Sequence, residues 1–125
     1  TVVVADLSEA RVEEARDRFA AEVAPVDTVL LSDVDVIAPC ALGAVITPEV
    51  ARRITARVVA GGANNQLSEA AAGRILFDRG ITYAPDYVIN AGGIIIVCAE
   101  YFRDADRPTI DARIDAIGTI LRITM

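Results

Sequence analysis

Val58-Val59-Ala60-Gly61-Gly62-Ala63-Asn64-Asn65 reads as a short buried strand that stops at two glycines and opens into a loop of small residues and amides. A β-branched run with no polar alternation is how a strand covered on both faces of a parallel sheet is written. Upstream, Thr47-Pro48-Glu49 offers a capping hydroxyl, a proline at the first helical position and an acid in the first turn, which predicts a helix running to about Arg57. Downstream, Ser68-Glu69 opens a second helix that Gly80 closes, and Ile81-Thr82-Tyr83 is a further strand. Further out, Val36-Ile37-Ala38 is a strand stopped by Pro39, after a stretch from Val26 to Asp35 that holds a minor strand and a turn of helix. The chain opens with Thr1-Val2-Val3-Val4-Ala5-Asp6, again a β-branched run, closed by an acid. Ser8 then caps a helix with Val12, Ala15, Phe19 and Val23 on its apolar face.

Strands alternating with helices at this spacing imply βα units and a parallel sheet, hence an α/β fold. From Asn90 the pattern becomes helical, first to about Phe102 and then, after Pro108, from Thr109 to the C-terminus. One partial domain over 1–125 is expected, with βα units over 1–89 and C-terminal helices over 90–125.

Composition removes several function classes. The 125 residues are 54% hydrophobic and carry a net charge of -6, so a compact domain is expected and a phosphate backbone or anionic membrane is repelled on average. The arginines are scattered and no aromatic platform accompanies them, which argues against nucleic acid. There is no His and no Lys; all twelve basic residues are Arg, which clamps anions but is a poor general base. A Ser-His-Asp triad and a histidine zinc site are therefore excluded from this chain, and no metal is expected. Cys40 and Cys98 form no paired motif and read as reduced thiols of a cytoplasmic protein. The longest apolar run, Ile94 to Ala99, is too short for a membrane span.

In an open parallel sheet, ligands bind beyond the carboxyl ends of the strands. The residues there are Asp6, then 39–43, then 61–65, then 84–93, and small residues and amides dominate them. An acid at the position of Asp6 accepts from adenosine ribose hydroxyls in dinucleotide-binding folds and disfavours a 2′-phosphate, pointing to NAD; it can equally cap the next helix. Asn64 and Asn65 suit an ordinary turn, and Asn90 a helix cap, as well as they suit a ligand. Cys40, with no base in the chain to activate it, reads as a small buried hydrophobe. Ile94 to Val97 reads as core or as a pocket wall.

The combination narrows these alternatives. Ala38-Pro39-Cys40-Ala41-Leu42-Gly43, Val59-Ala60-Gly61-Gly62-Ala63-Asn64-Asn65 and Tyr83-Ala84-Pro85-Asp86-Tyr87-Val88-Ile89-Asn90-Ala91-Gly92-Gly93, in this order, resemble the Glu/Leu/Phe/Val dehydrogenase family. The resemblance runs from Val2 to about Glu100. It implies a Rossmann-like parallel sheet with flanking helices that begins at the second strand, without the first strand and its glycine-rich turn. It further implies NAD-linked deamination of an L-amino acid to its 2-oxo acid, within a longer, homo-oligomeric enzyme. The implied cofactor contacts are Asp6, Leu7, Cys40, Ala41, Leu42, Ala63, Asn64 and Asn90, and the implied substrate contacts are Asn90, Gly92, Ile94 and Val97. Ile94 and Val97, one helical turn apart and aliphatic, favour a branched-chain substrate (Leu, Val or Ile) over Phe. The family's catalytic lysines and aspartate belong to a preceding substrate domain, so no catalytic residue is expected here. The alternative is a non-catalytic Rossmann-like module that binds a nucleotide or a partner.

Overall fold

A computed structural model describes residues 1–124. Its strands are short and all parallel: β1 (Val3–Val4) pairs with β2 (Glu22–Val23), and β3 (Val36–Ile37), β4 (Val58–Val59) and β5 (Thr82–Tyr83) form a second sheet in the order β3-β4-β5. The mixed α/β class expected from the alternation is thus observed, but as two sheets rather than one. The hydrogen-bond parity identifies the edges of that division. Val2 and Val4 carbonyls accept from Glu22 of β2 and from Ala24 just after it, so Val3 and Ala5 turn their backbone groups the other way. The Asp35 carbonyl accepts from Arg57 and Val58 and the Ile37 carbonyl from Ala60, in and beside β4, so Val36 and Ala38 also turn outward. These two outward edges border one cavity, described below.

Helix α1 (Glu9–Phe19) follows β1, and here the expected helical register is one turn too long. Ala20 adopts a left-handed conformation (φ 50°), its N–H closing on the Arg16 carbonyl, which turns the chain so that Val23 becomes part of β2. Ser8 occupies the cap position without a side-chain cap; the Asp6 carboxylate instead accepts from the Ser8 N–H at 2.8 Å. The ambiguous stretch before β3 contains a 3₁₀ turn at Val29–Leu31.

Helix α2 (Pro48–Arg53) starts as the sequence dictates, with the Thr47 hydroxyl accepting from the Val50 N–H at 3.2 Å. It ends before the expected Arg57 because Ile54 turns extended and enters the core, leaving Arg57 to bond with Asp35 and Thr82. Helix α3 (Ala70–Asp78) ends where Gly80 takes φ +69°, a conformation costly for a side chain with Cβ. After β5 come a one-turn helix α4 (Asp86–Ile89), not foreseen from the sequence, and α5 (Gly92–Phe102). The expected C-terminal helix is two, α6 (Arg107–Asp115) and α7 (Ile117–Thr124). The first begins before Thr109 because Asp106 caps it, accepting from both the N–H and the hydroxyl of Thr109, which hold its carboxyl below the usual range. Met125, the end of the expected helix, lies outside the described residues.

The core is built on β3-β4-β5. Ile46, Ile54, Val59 and Leu76 are fully buried, joined by Ala51, Ala56 and Ala72, with α2 packed on α3 and α3 on β5. Each large aliphatic side chain so removed from water contributes roughly 1.5–3 kcal/mol. Among the described residues no helix is long and apolar enough to cross a membrane.

Candidate functional site

Parallel pairing sends the loops after β3, β4 and β5 to one rim of the sheet, and the β4 loop is sewn to both neighbours. On one side Gly61 rests against the Pro39 backbone so closely that a Cβ would lie 2.1 Å from the Pro39 carbonyl oxygen, which only glycine permits. The Ala63 N–H donates to that same carbonyl at 3.0 Å, the Gly62 N–H to Cys40 Sγ at 3.4 Å, and the Ala44 N–H to the Asn65 carbonyl at 2.6 Å. Ile46 and Leu67 form an isolated parallel bridge beyond it. On the other side the Asn65 N–H donates to Asp86 Oδ2 at 2.5 Å, and Asn90 Nδ2 donates to Asn64 Oδ1 at 2.5 Å. Asn65 sits at φ 52°, a left-handed conformation that Asn tolerates better than most residues.

The amide pair has a direction. With Asn90 donating and Asn64 accepting, the Asn64 amide nitrogen and the Asn90 oxygen stay open for a ligand. Behind them Tyr83 donates its hydroxyl to Asp86 Oδ1 at 3.3 Å. Burial, reinforced by the negative charge of Asp86, pushes the Tyr83 phenol up to about 12.

A cavity of about 960 Å³ opens between the two sheets, walled by residues 1–7 on one side and 34–42 on the other. It brings together five of the residues singled out from the sequence: Asp6, Leu7, Cys40, Ala41 and Leu42. Asp6 accepts from the Ser8 N–H just ahead of α1 rather than from a first-turn N–H of the helix, and its other oxygen lies 3.7 Å from Arg11, itself part of the cavity wall. Its side chain is 35% exposed, so the carboxylate has room for further donors. Ala63 is buried in the β4 loop; Asn64 and Asn90 meet at the rim, outside the cavity wall proper but joined to it by the Cys40–Gly62 and Pro39–Ala63 contacts.

Two readings are corrected. Cys40 is exposed rather than buried, because Pro39 ahead of it takes the inward position and the thiol turns to the Gly62 N–H. Ile94 and Val97 are 60% and 57% exposed, so they are not core; α5 buries only Ala99 and turns its aliphatic face outward. Gly92, at the start of α5, has open space around it. Two residues that hold the rim were not singled out from the sequence: Asp86, whose place after Pro85 at a helix start was a usable signal, and the buried Gln66 behind it, which had none beyond being polar between Asn65 and Leu67.

Comparison with known proteins places the chain in a family. The family model described as Glutamate/Leucine/Phenylalanine/Valine dehydrogenase matches residues 3–117. A leucine dehydrogenase from Thermoactinomyces intermedius is 41% identical over 125 residues, covering 98% of this chain and 34% of that protein. A valine dehydrogenase from Streptomyces albus is 45% identical over 102 residues, 79% of this chain and 28% of that protein. The crystal structure of L-tryptophan dehydrogenase from Nostoc punctiforme superposes with a TM-score of 0.87 at 37% identity, covering 95% of this chain and 36% of that one. The chain spans about a third of the length of the relatives it matches. The matched span takes in the loops after all three strands of the β3-β4-β5 sheet and both members of the amide pair, and the chain belongs to the Glutamate/Leucine/Phenylalanine/Valine dehydrogenase family.

Proposed function

We propose that this chain is the cofactor-binding part, and one wall of the substrate pocket, of an NAD-dependent L-amino acid dehydrogenase that prefers branched-chain substrates. The observation that carries the reading is the convergence of Asp6 and residues 40–42 on one cavity, with the Asn64–Asn90 amide pair at its rim. An elongated ligand with a diol at one end and a carboxamide at the other fits that distribution: a carboxylate for hydroxyls, an exposed stretch of small and apolar residues, then an open amide donor and acceptor. Asp6, Leu7, Cys40, Ala41, Leu42, Ala63, Asn64 and Asn90 would hold NAD, which when bound supplies the hydride acceptor for oxidation at the amino-bearing carbon.

The chain's own residues bind and orient in this reading. Asp6 accepts from ribose hydroxyls and disfavours a 2′-phosphate by charge. Asn90 fixes the ligand at the rim, and Gly92 leaves space for the substrate next to it. Ile94 and Val97 present an exposed aliphatic face with the chemistry of a Leu, Val or Ile side chain. With no Lys and no His, this chain does not itself supply the lysine base that the reading calls for. The two outward strand edges, at Val3 and Ala5 and at Val36 and Ala38, support a Rossmann-like completion in which one further strand lies between those edges, leaving the end of the cavity lined by Asp6, Leu7 and residues 40–42 to the ligand.

Asp6→Ala in the full-length protein tests the reading. The KM for NAD is expected to rise strongly with little change in the KM for the amino acid, and an unchanged KM for NAD removes Asp6 from the ribose role. A full-length protein that binds NAD but turns over no L-amino acid favours the non-catalytic nucleotide-binding alternative.

A further inference from the structure

We propose that Gln66 is a positioning residue that sets the place of Asn64 opposite Asn90. Gln66 is completely buried, the one polar side chain in the core among the described residues. Its amide nitrogen donates to two carbonyls of the β4 loop, Gly61 at 2.5 Å and Ala63 at 3.0 Å. Those carbonyls fix the orientation of the amide, because the flipped rotamer would set an oxygen against two oxygens. The arrangement is costly. Gln66 Oε1 is buried without a donor, and a buried unmet acceptor destabilises a fold. An apolar side chain of similar volume would fill the same space without that cost, so the amide is explained by what its nitrogen does and not by packing.

What the nitrogen does is curl residues 61–66 about itself. Gly61 is then pressed on Pro39, Asn65 is held left-handed, and its N–H reaches Asp86. Asn64 lies between these fixed points and so faces Asn90. Without the two donors, the loop has no internal bond to hold its curvature between Gly61 and Ala63. Gln66 lies in the interior and acts through Asn64 rather than on a ligand.

The inference about a ligand rests on the functional reading above; the one about the loop does not, and the test separates them. The variants are Gln66→Met, which keeps the volume and removes the donors, and Gln66→Glu, whose carboxylate repels the two carbonyls. In the ligand-free full-length protein, the side-chain amide resonance of Asn90 is expected to move in both variants while amides of the β3-β4-β5 core stay in place. An unmoved Asn90 resonance overturns the positioning role, whatever the protein binds. NAD titrations then give a double-mutant cycle with Asn64→Ala. Gln66→Met is expected to weaken NAD binding about tenfold alone and less than about twofold in the Asn64→Ala background, since the two act as one unit. Additive losses assign Gln66 a purely structural role and overturn the proposal. A moved Asn90 resonance in a protein that does not bind NAD keeps the positioning role and sinks the functional reading instead. If neither variant folds, Gln66 serves the core and the proposal falls.

Discussion

The unit β1-α1-β2 and the sheet β3-β4-β5 are written in the same alternation of strand and helix, yet they are held together very differently. Over residues 1–29 the only buried hydrophobic side chain is Ala21, and α1 buries nothing. Over residues 37–81 nine buried aliphatic residues form one cluster with α2 and α3. The first unit is a two-stranded ribbon decorated with exposed ion pairs, Arg16–Glu13 and Arg18–Glu14 among them; the second has a core. A two-stranded ribbon is marginal by itself, so the strand alternation alone does not confer stability; the apolar residues between the strands do.

The largest expected effect lies in that core. Leu76→Ala should cost about 2–5 kcal/mol in chemical denaturation, whereas Val12→Ala in α1 should cost under about 1 kcal/mol. Equal losses would break the contrast. Next comes the loop crossing: Gly61→Ala forces a Cβ into the Pro39 backbone and should cost about 1–3 kcal/mol, while the exposed neighbour variant Gly62→Ala should stay within about 0.5 kcal/mol in the same assay. A smaller effect concerns Tyr83. Its folded-state pKa of about 12 lies above the ordinary value of 10.0, so its contribution is fully present below pH 10 and lost as pH rises toward 12. Solvent screening keeps it modest, because the ring is only partly buried. Tyr83→Phe should flatten the alkaline limb of the stability curve and remove a step near pH 12 from the tyrosinate absorbance titration. The smallest is Arg18→Ala on the ribbon, worth roughly 0.3–0.5 kcal/mol and vanishing in high salt, measured by thermal melts.

The same two regions show what the sequence could and could not reveal. The strands β3, β4 and β5 and the start of α2 are legible because their signals are local: a β-branched run, a Thr-Pro cap, a glycine in left-handed geometry. In the ribbon the apolar spacing of Val12, Ala15, Phe19 and Val23 carried the helix past its true end, since a single alanine at φ 50° leaves no mark in composition. Asp6, residues 40–42, Asn64 and Asn90 were named from motifs; that Asn64 and Asn90 are bonded, or that Cys40 faces outward, depends on how loops meet. Gln66 was missed for the same reason, because its partners are backbone carbonyls that carry no residue identity, and so was the bond from Asp86 to the Asn65 N–H, although the place of Asp86 after Pro85 was legible.

The contact between Gly61 and Pro39 also limits how this rim can be re-engineered. With main chain resting directly on main chain, no rotamer is available to absorb a change on either side. Residues 38–46 and 60–66 should therefore transplant into a homologous scaffold only as one cassette, and a chimera exchanging either segment alone should lose the docking of both.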